Sequence, residues 1–226
     1  MRVHVAFTPR EAADAPLAVA LDVLRATSTI CQALAGGYRE VVCAGEVEAA
    51  RALRADGVAL AGERACVAIP GFDFGNSPRE VAERDPRFER LVLTTTNGTR
   101  LLQAAAARHE TVLVGSLLNL AAVVAAVRDS GVEEVAILCA GVEGELALDD
   151  AYCAGRVAAE LGGEPTDAAV AAVRIAAAFA SPMEALGTSE SAANLRAAAL
   201  EDDIAWCARE SVLDVVPRVG ERVLVA

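Results

Sequence analysis

The chain has 226 residues, 54% of them hydrophobic but only 4% aromatic, so its core is built mainly from Ala, Val and Leu, which favours helices packed closely on a sheet. A net charge of −12 argues against a nucleic acid or a membrane surface as partner, and an anionic substrate would need a local cluster of Arg. All 20 basic residues are Arg, which removes Schiff-base lysine chemistry and any P-loop lysine.

Strands are predicted at Val3–Phe7, Leu17–Leu24, Glu40–Ala44, Val58–Gly62, Leu91–Thr96, Thr111–Gly115, Val135–Ala140, Val212–Val216 and Arg222–Val225. Helices are predicted between them at Thr29–Ala35, Glu46–Ala55, Pro78–Arg84, Gly98–Ala107, Asn119–Ser130, Asp149–Leu161, Thr166–Phe179 and Ser191–Cys207. Strands of near-continuous Val, Leu and Ala alternating with helices predict an α/β protein whose largely parallel sheet is covered on both faces. The last two strands, close together around Pro217 and Gly220, are expected to form an antiparallel edge pair. No Pro-, Ser- or Gly-rich linker divides the chain, so a single domain over 1–226 is expected, with 149–207 as a helix-rich lobe on the same core. The longest apolar segment, Ala168–Ala180, is interrupted by Arg174 and is too short to span a bilayer. Six scattered Cys, with no C-x-x-C spacing and no N-terminal secretory signal, point to free thiols in a reducing cytoplasm. Oligomeric state stays open, a homo-oligomer included.

Candidate site residues cluster at four strand ends, where ligands bind in parallel α/β proteins. The strand Leu17–Leu24 carries one acid, Asp22, and breaks into Arg25-Ala26-Thr27-Ser28-Thr29 ahead of a helix. An aspartate in such a strand needs a cation or hydrogen bonds to compensate it. It either caps the next helix or pairs with Arg25, or it joins Arg25 and Thr27 in an anion and metal site. The second feature is Gly71–Glu80, GFDFGNSPRE, in which Ser77, Pro78 and Glu80 read as the N-cap, first residue and capping-box acid of a helix. Asn76 lies in its Gly-rich turn, and Glu63-Arg64 ends the strand upstream.

The third feature, Thr94-Thr95-Thr96-Asn97-Gly98-Thr99, holds more hydroxyl and amide groups than one N-cap requires, and reads as a phosphate cradle without a Walker lysine. The fourth is Cys139-Ala140-Gly141 followed by Glu143, Glu145, Asp149 and Asp150, carboxylates of the kind that bind Mg²⁺. Acids are also favoured in a first helical turn, which accounts for much of Asp149-Asp150. Position 145 is Glu where a cysteine phosphatase would need Arg, so Cys139 reads as a pocket residue rather than a nucleophile. Neither His4 nor His109 stands at the C-terminal end of a strand, so both read as structural or exposed.

Taken in order, LDVLRATSTICQALAGG, GER, GFDFGNSPRE, LTTTNGT and CAG…LDDAYCAG resemble the 2-phosphosulfolactate phosphatase family. The similarity continues through Ser189–Leu195, Asp203–Cys207 and Val216-Pro217, and so covers nearly the whole chain. Two departures are Asp149, where Glu is expected, and Ala192, where Gly is expected. The resemblance implies a three-layer α/β/α fold and a Mg²⁺-dependent phosphatase hydrolysing a small anionic substrate, 2-phospho-3-sulfolactate, in coenzyme M biosynthesis. On that reading Asp22 is a metal ligand or in-line nucleophile and Arg25 binds phosphate. Glu63 and Asp150 are metal or acid/base candidates, and Thr27, Arg64, Asn76, Thr95, Thr96, Asn97, Gly98 and Cys139 line the substrate site. Position 24 is Leu where a phosphoaspartyl enzyme of the haloacid-dehalogenase type has a second Asp, so attack by a metal-activated water is preferred. Two alternatives stand beside this one: a phosphatase for another small 2-phospho acid, and a non-catalytic anion-binding protein with the same pocket.

Overall fold

The computed structural model describes residues 1–11, 13–82 and 87–225. Its strands form two five-stranded sheets. The first has the order β7-β2-β8-β1-β9 and comprises β1 (Arg2–Ala6), β2 (Leu17–Leu21), β7 (Thr111–Gly115), β8 (Glu134–Cys139) and β9 (Glu164–Pro165). The second has the order β10-β3-β6-β4-β5, from β3 (Glu40–Cys43), β4 (Val58–Arg64), β5 (Val67–Ala68), β6 (Arg90–Thr94) and β10 (Val223–Val225). Strand pairing is parallel throughout these sheets except at the short β4–β5 hairpin.

Side-chain alternation along the strands explains the layering. In β2, Val19 and Leu21 face one core, with α5 (Leu120–Asp129), α6 (Leu148–Leu161) and α7 (Asp167–Ala177). Ala18 and Ala20 face the other, against α1 (Ala26–Ala35) and α4 (Gly98–Ala106). Methyl side chains on that face let two helices lie close between the sheets. The first sheet is thus the middle of a three-layer α/β/α sandwich, as expected, and the second sheet packs on the far side of α1 and α4 through Val41, Cys43, Ala59, Ala61, Leu91 and Leu93. A third, smaller cluster of Val42, Leu60 and Val92 with Ala50 of α2 (Val47–Ala52) closes the outer face of the second sheet.

Three expectations change. Val212–Val216 is not a strand: Val212 and Leu213 donate backbone N–H groups to Leu118 O, and Asn119 reaches Val215 O, so the segment straps the end of β7. The expected antiparallel edge pair is therefore absent, and β10 pairs parallel with β3, where Val223 closes the core between the sheets. The expected helix Ser191–Cys207 is two helices, α9 (Glu190–Ala197) and α10 (Glu201–Cys207). They are separated by Ala199 in the left-handed region at φ 58°, with Leu200 N–H returning to Leu195 O. Glycine normally marks that kind of stop; alanine gives no such signal. Two further helices complete the fold, α8 (Pro182–Gly187), which was not expected, and α3 (Pro78–Ala82), whose expected end at Arg84 lies outside the described residues. No helix among the described residues is long and apolar enough to cross a membrane.

Candidate active site

Strands β2 and β8 are neighbours, yet the helices that follow them pack on opposite faces of the sheet, α1 against the second sheet and α6 on the far side. Where connections part in this way a crevice opens at the carboxyl ends of the strands. The crevice here is a cleft of about 520 Å³, lined from the first sheet by Asp22, Arg25, Asp149 and Asp150, and from the second by Glu63, Thr95, Thr96 and Asn97. Asn76, Glu143, Ser191 and Asn194 add to its polar lining.

Asp22 stands at the turn from β2 into α1. Its backbone N–H donates to Thr27 Oγ1 at 3.0 Å, the Thr27 hydroxyl returns to Asp22 O at 2.9 Å, and Ala26 N–H donates to Asp22 Oδ1 at 3.0 Å. The carboxylate therefore does cap α1, as the simpler reading has it, but with one oxygen. Its other oxygen, Oδ2, faces Gly98, where a β-carbon would sit 2.6 Å from it and 2.4 Å from Ala26 Cβ. Burial, with Asp149 and Glu63 adding repulsion, pushes Asp22 up to about 7, against the hydrogen bond from Ala26 and the pull of Arg25. Gly98→Ala must displace Asp22 or α1. Because a shift near 1 Å at a reacting centre costs on the order of 100-fold, kcat/KM is expected to fall by about that factor while secondary structure is retained. Unchanged kinetics with an unchanged melting temperature would show that the contact does not matter.

Arg25 does not pair with Asp22. It is 4% exposed, and its Nη1 lies 2.6 Å from Oδ2 of Asp203 on α10, whose Oδ1 accepts the Ser77 hydroxyl at 2.7 Å. Ser77 also accepts Glu80 N–H at the start of α3, as expected, but the Glu80 carboxylate reaches Gly75 N–H rather than closing the box on Ser77.

The β6–α4 loop divides its hydroxyls among tasks. Thr95 Oγ1 accepts Thr99 N–H, an ordinary cap, while Thr94 Oγ1 takes a hydrogen bond from Arg64. Thr96 gives both its N–H and its hydroxyl to Glu63 Oε1, and Glu63 Oε2 accepts Cys66 N–H. Glu63 thus ties the β4–β5 turn, where Ala65 and Cys66 are both left-handed, to the Thr-rich loop. Arg64 turns away from the cleft onto Glu63 O.

Asp149 and Asp150 differ sharply. Asp150 accepts Val23 N–H at Oδ1 and Gly141 N–H at Oδ2, so both oxygens brace the loops after β2 and β8. Burial and then its two aspartate neighbours push it well above the usual carboxylate range. Asp149 is 2% exposed, and its Oδ1 has no hydrogen-bond partner among the described residues. Burial pushes it up to about 6, against hydrogen bonds from Ser191 and Ser189. Asn76 Oδ1 is the other buried side-chain atom of the lining without a partner among the described residues. A buried acceptor without a partner costs about 1–3 kcal/mol, and such atoms mark where a ligand completes a site.

Of the residues singled out in the sequence, Asp22, Arg25, Glu63, Asn76, Thr95, Thr96, Asn97 and Asp150 line the cleft. Thr27, Arg64, Gly98 and Cys139 are not part of its lining. Thr27 closes the Asp22 turn and Gly98 makes room for it. Cys139 lines a separate cavity of about 40 Å³ beside His109, and burial holds its thiol well above its ordinary pKa, so it carries no thiolate. Ser191 and Asn194 were not anticipated as site residues: they belong to α9, which has no glycine and whose one acid, Glu190, is exposed in its first turn.

A cleft of buried carboxylates, one arginine and a hydroxyl-rich loop at the carboxyl ends of parallel strands defines an α/β enzyme for a small phosphorylated substrate. The chain belongs to the 2-phosphosulpholactate phosphatase family, whose model matches residues 4–222, and it is a phosphoric monoester hydrolase. It is 39% identical over 233 residues to the probable 2-phosphosulfolactate phosphatase of Thermus thermophilus, a match covering 99% of this chain and 98% of the relative. It is 36% identical over 217 residues to the 2-phosphosulfolactate phosphatase of Methanothermobacter thermautotrophicus, covering 96% and 92% respectively.

Proposed function

We propose that the chain hydrolyses 2-phospho-3-sulfolactate to 3-sulfolactate and phosphate with Mg²⁺ as cofactor, as the step of coenzyme M biosynthesis that removes the phosphate. The observation that carries the reading is the pairing of Asp22 with Asp149, two buried carboxylates with free oxygens, in one cleft with Arg25 and Thr95–Asn97. The relatives' names support the substrate.

The donor set fits Mg²⁺. Asp149 Oδ1 is a hard oxygen with no partner among the described residues, and Asp22 is held against its own ionisation by burial and then by the negative charge of Asp149 and Glu63. No group of three or more His, Cys, Asp and Glu among the described residues forms a metal cage, which suits an ion that takes one or two carboxylates and completes its shell with water and substrate phosphate. Asp22 and Asp149 would hold it; Asp150, with both oxygens on backbone N–H groups, would keep their loops in place. Bound there, the ion supplies neutralisation of phosphoryl charge and acidification of a water. The chain's own groups do the rest. Arg25, immobilised by Asp203, binds phosphoryl oxygens and offsets their charge as the ester bond breaks. Thr95 and Asn97 orient the phosphoryl group, and Thr96, tied through its N–H and hydroxyl to Glu63, holds their loop in place.

Phosphate release tests this directly. Phosphosulfolactate, phospholactate and phosphoglycolate are compared with Mg²⁺ and with a chelator. Turnover that needs Mg²⁺ and prefers phosphosulfolactate supports the reading. Equal rates on all three remove the named substrate while leaving a phosphatase, and turnover indifferent to chelation removes the metal.

A further inference from the structure

The cleft's charge poses a problem for a substrate with three acidic groups. Five carboxylates line it, Asp22, Glu63, Glu143, Asp149 and Asp150, and Arg25 is the one cationic side chain among the described residues of the lining. The local cluster of arginines that an anionic substrate would need is not found among the described residues of the lining: Arg64, expected there, is turned onto Glu63 O and Thr94, and Arg100 lies on the surface 3.9 Å from Glu46. With Arg25 and the Thr95–Asn97 loop committed to phosphate, the group farthest from phosphorus must be recognised by neutral donors.

One wall of the cleft is built for that. Helix α9 presents Ser191, Asn194, Ala197 and Ala198 on one face, the i, i+3, i+7 spacing of a single helical stripe. Ser191 is buried beside Asp149 and favours its ionised form. The two alanines carry no donor. Asn194 is left as the side-chain donor of this wall, exposed, with no hydrogen-bond partner for its carboxamide among the described residues. The left-handed residue Ala199 ends the helix one turn later.

The geometry points to Asn194 as the residue that determines specificity for the acidic substituent at carbon 3 of the substrate, its carboxamide N–H groups donating to sulfonate oxygens at the α9 wall of the cleft. A neutral amide suits this position. It donates to an anion without pairing with the nearby carboxylates, as an arginine would. This deepens the proposed function and rests on it.

The test compares kcat/KM on phosphosulfolactate with that on phosphoglycolate, which lacks carbon 3 and its sulfonate, for the wild-type chain, Asn194→Ala and Asn194→Asp. Loss of a hydrogen bond to a charged group is expected to lower the phosphosulfolactate to phosphoglycolate ratio about 10- to 100-fold in Asn194→Ala, and further in Asn194→Asp, where like charges meet. Both substitutions sit on an exposed helix position, and circular dichroism checks that the fold is kept. A ratio unchanged in both variants, or an equal loss on both substrates, overturns the assignment. A wild-type ratio near one overturns the substrate reading itself, and with it a role for Asn194 in reading the sulfonate.

Discussion

Asp22→Asn is expected to lower kcat by at least about 1,000-fold and, in the metal-free protein at pH 8, to raise folding stability by about 2–4 kcal/mol. The two effects share a cause. Asp22 is buried beside Asp149 and Glu63 and its pKa is raised from 3.8 to about 7. The folded state therefore binds a proton more tightly than the unfolded chain does, so stability falls as pH rises through the window from about 4 to about 7 and stays low above it. A neutral carboxamide removes that loss, and its oxygen can still accept Ala26 N–H in place of Oδ1. The stability gain should vanish near pH 4. It should also shrink as Mg²⁺ is added, because an ion bound only by the folded wild type stabilises it by mass action. Thermal denaturation at pH 4 and pH 8, with Mg²⁺ and with chelator, reads all of this. A variant that is less stable than wild type at pH 8 without metal, or that retains turnover, contradicts the assignment.

Asp203→Ala should destabilise the protein by about 3–5 kcal/mol, a drop in melting temperature of roughly 10 °C, and should weaken inhibition by inorganic phosphate. Arg25 and Asp203 are 4% and 1% exposed, and removing the acid strands a guanidinium in the interior. The ion pair itself is a weak source of stability, because desolvating both charges offsets most of their attraction. The double variant Arg25→Met/Asp203→Leu is therefore expected to recover most of the lost stability while remaining inactive. If it is as unstable as Asp203→Ala, the pair holds the fold together by more than mutual neutralisation. If it retains turnover, Arg25 is not a phosphate ligand.

Four of the polar strand ends were legible in the sequence because each interrupts a run of Val, Leu and Ala with groups that such a strand has no reason to carry. Asp22, Glu63, Thr95–Asn97 and Asp150 all reach one cleft for that reason. The parallel character of the sheets was legible too, since strands apolar on both faces must be covered by helices. Local capping chemistry was partly visible: Ser77 does start α3, whereas the acid expected to close the box serves Gly75 instead.

Tertiary structure decided the partners. Asp22 and Arg25 are three positions apart and looked like a pair, yet Arg25 is held by Asp203, 178 residues away. Asp149 and Asp150 are adjacent, but a helix turns successive side chains by 100°, so one has both oxygens on backbone N–H groups and the other keeps Oδ1 free. Periodicity identifies which face of a strand or helix is buried without saying against what. That is why the strands could be expected but not their division into two sheets, and why Val212–Val216 could look like a strand while lying as a strap. The sequence by itself determined the kinds of group that meet at the strand ends; which oxygens are free to bind a metal and substrate was decided by hydrogen bonds between segments far apart in the chain.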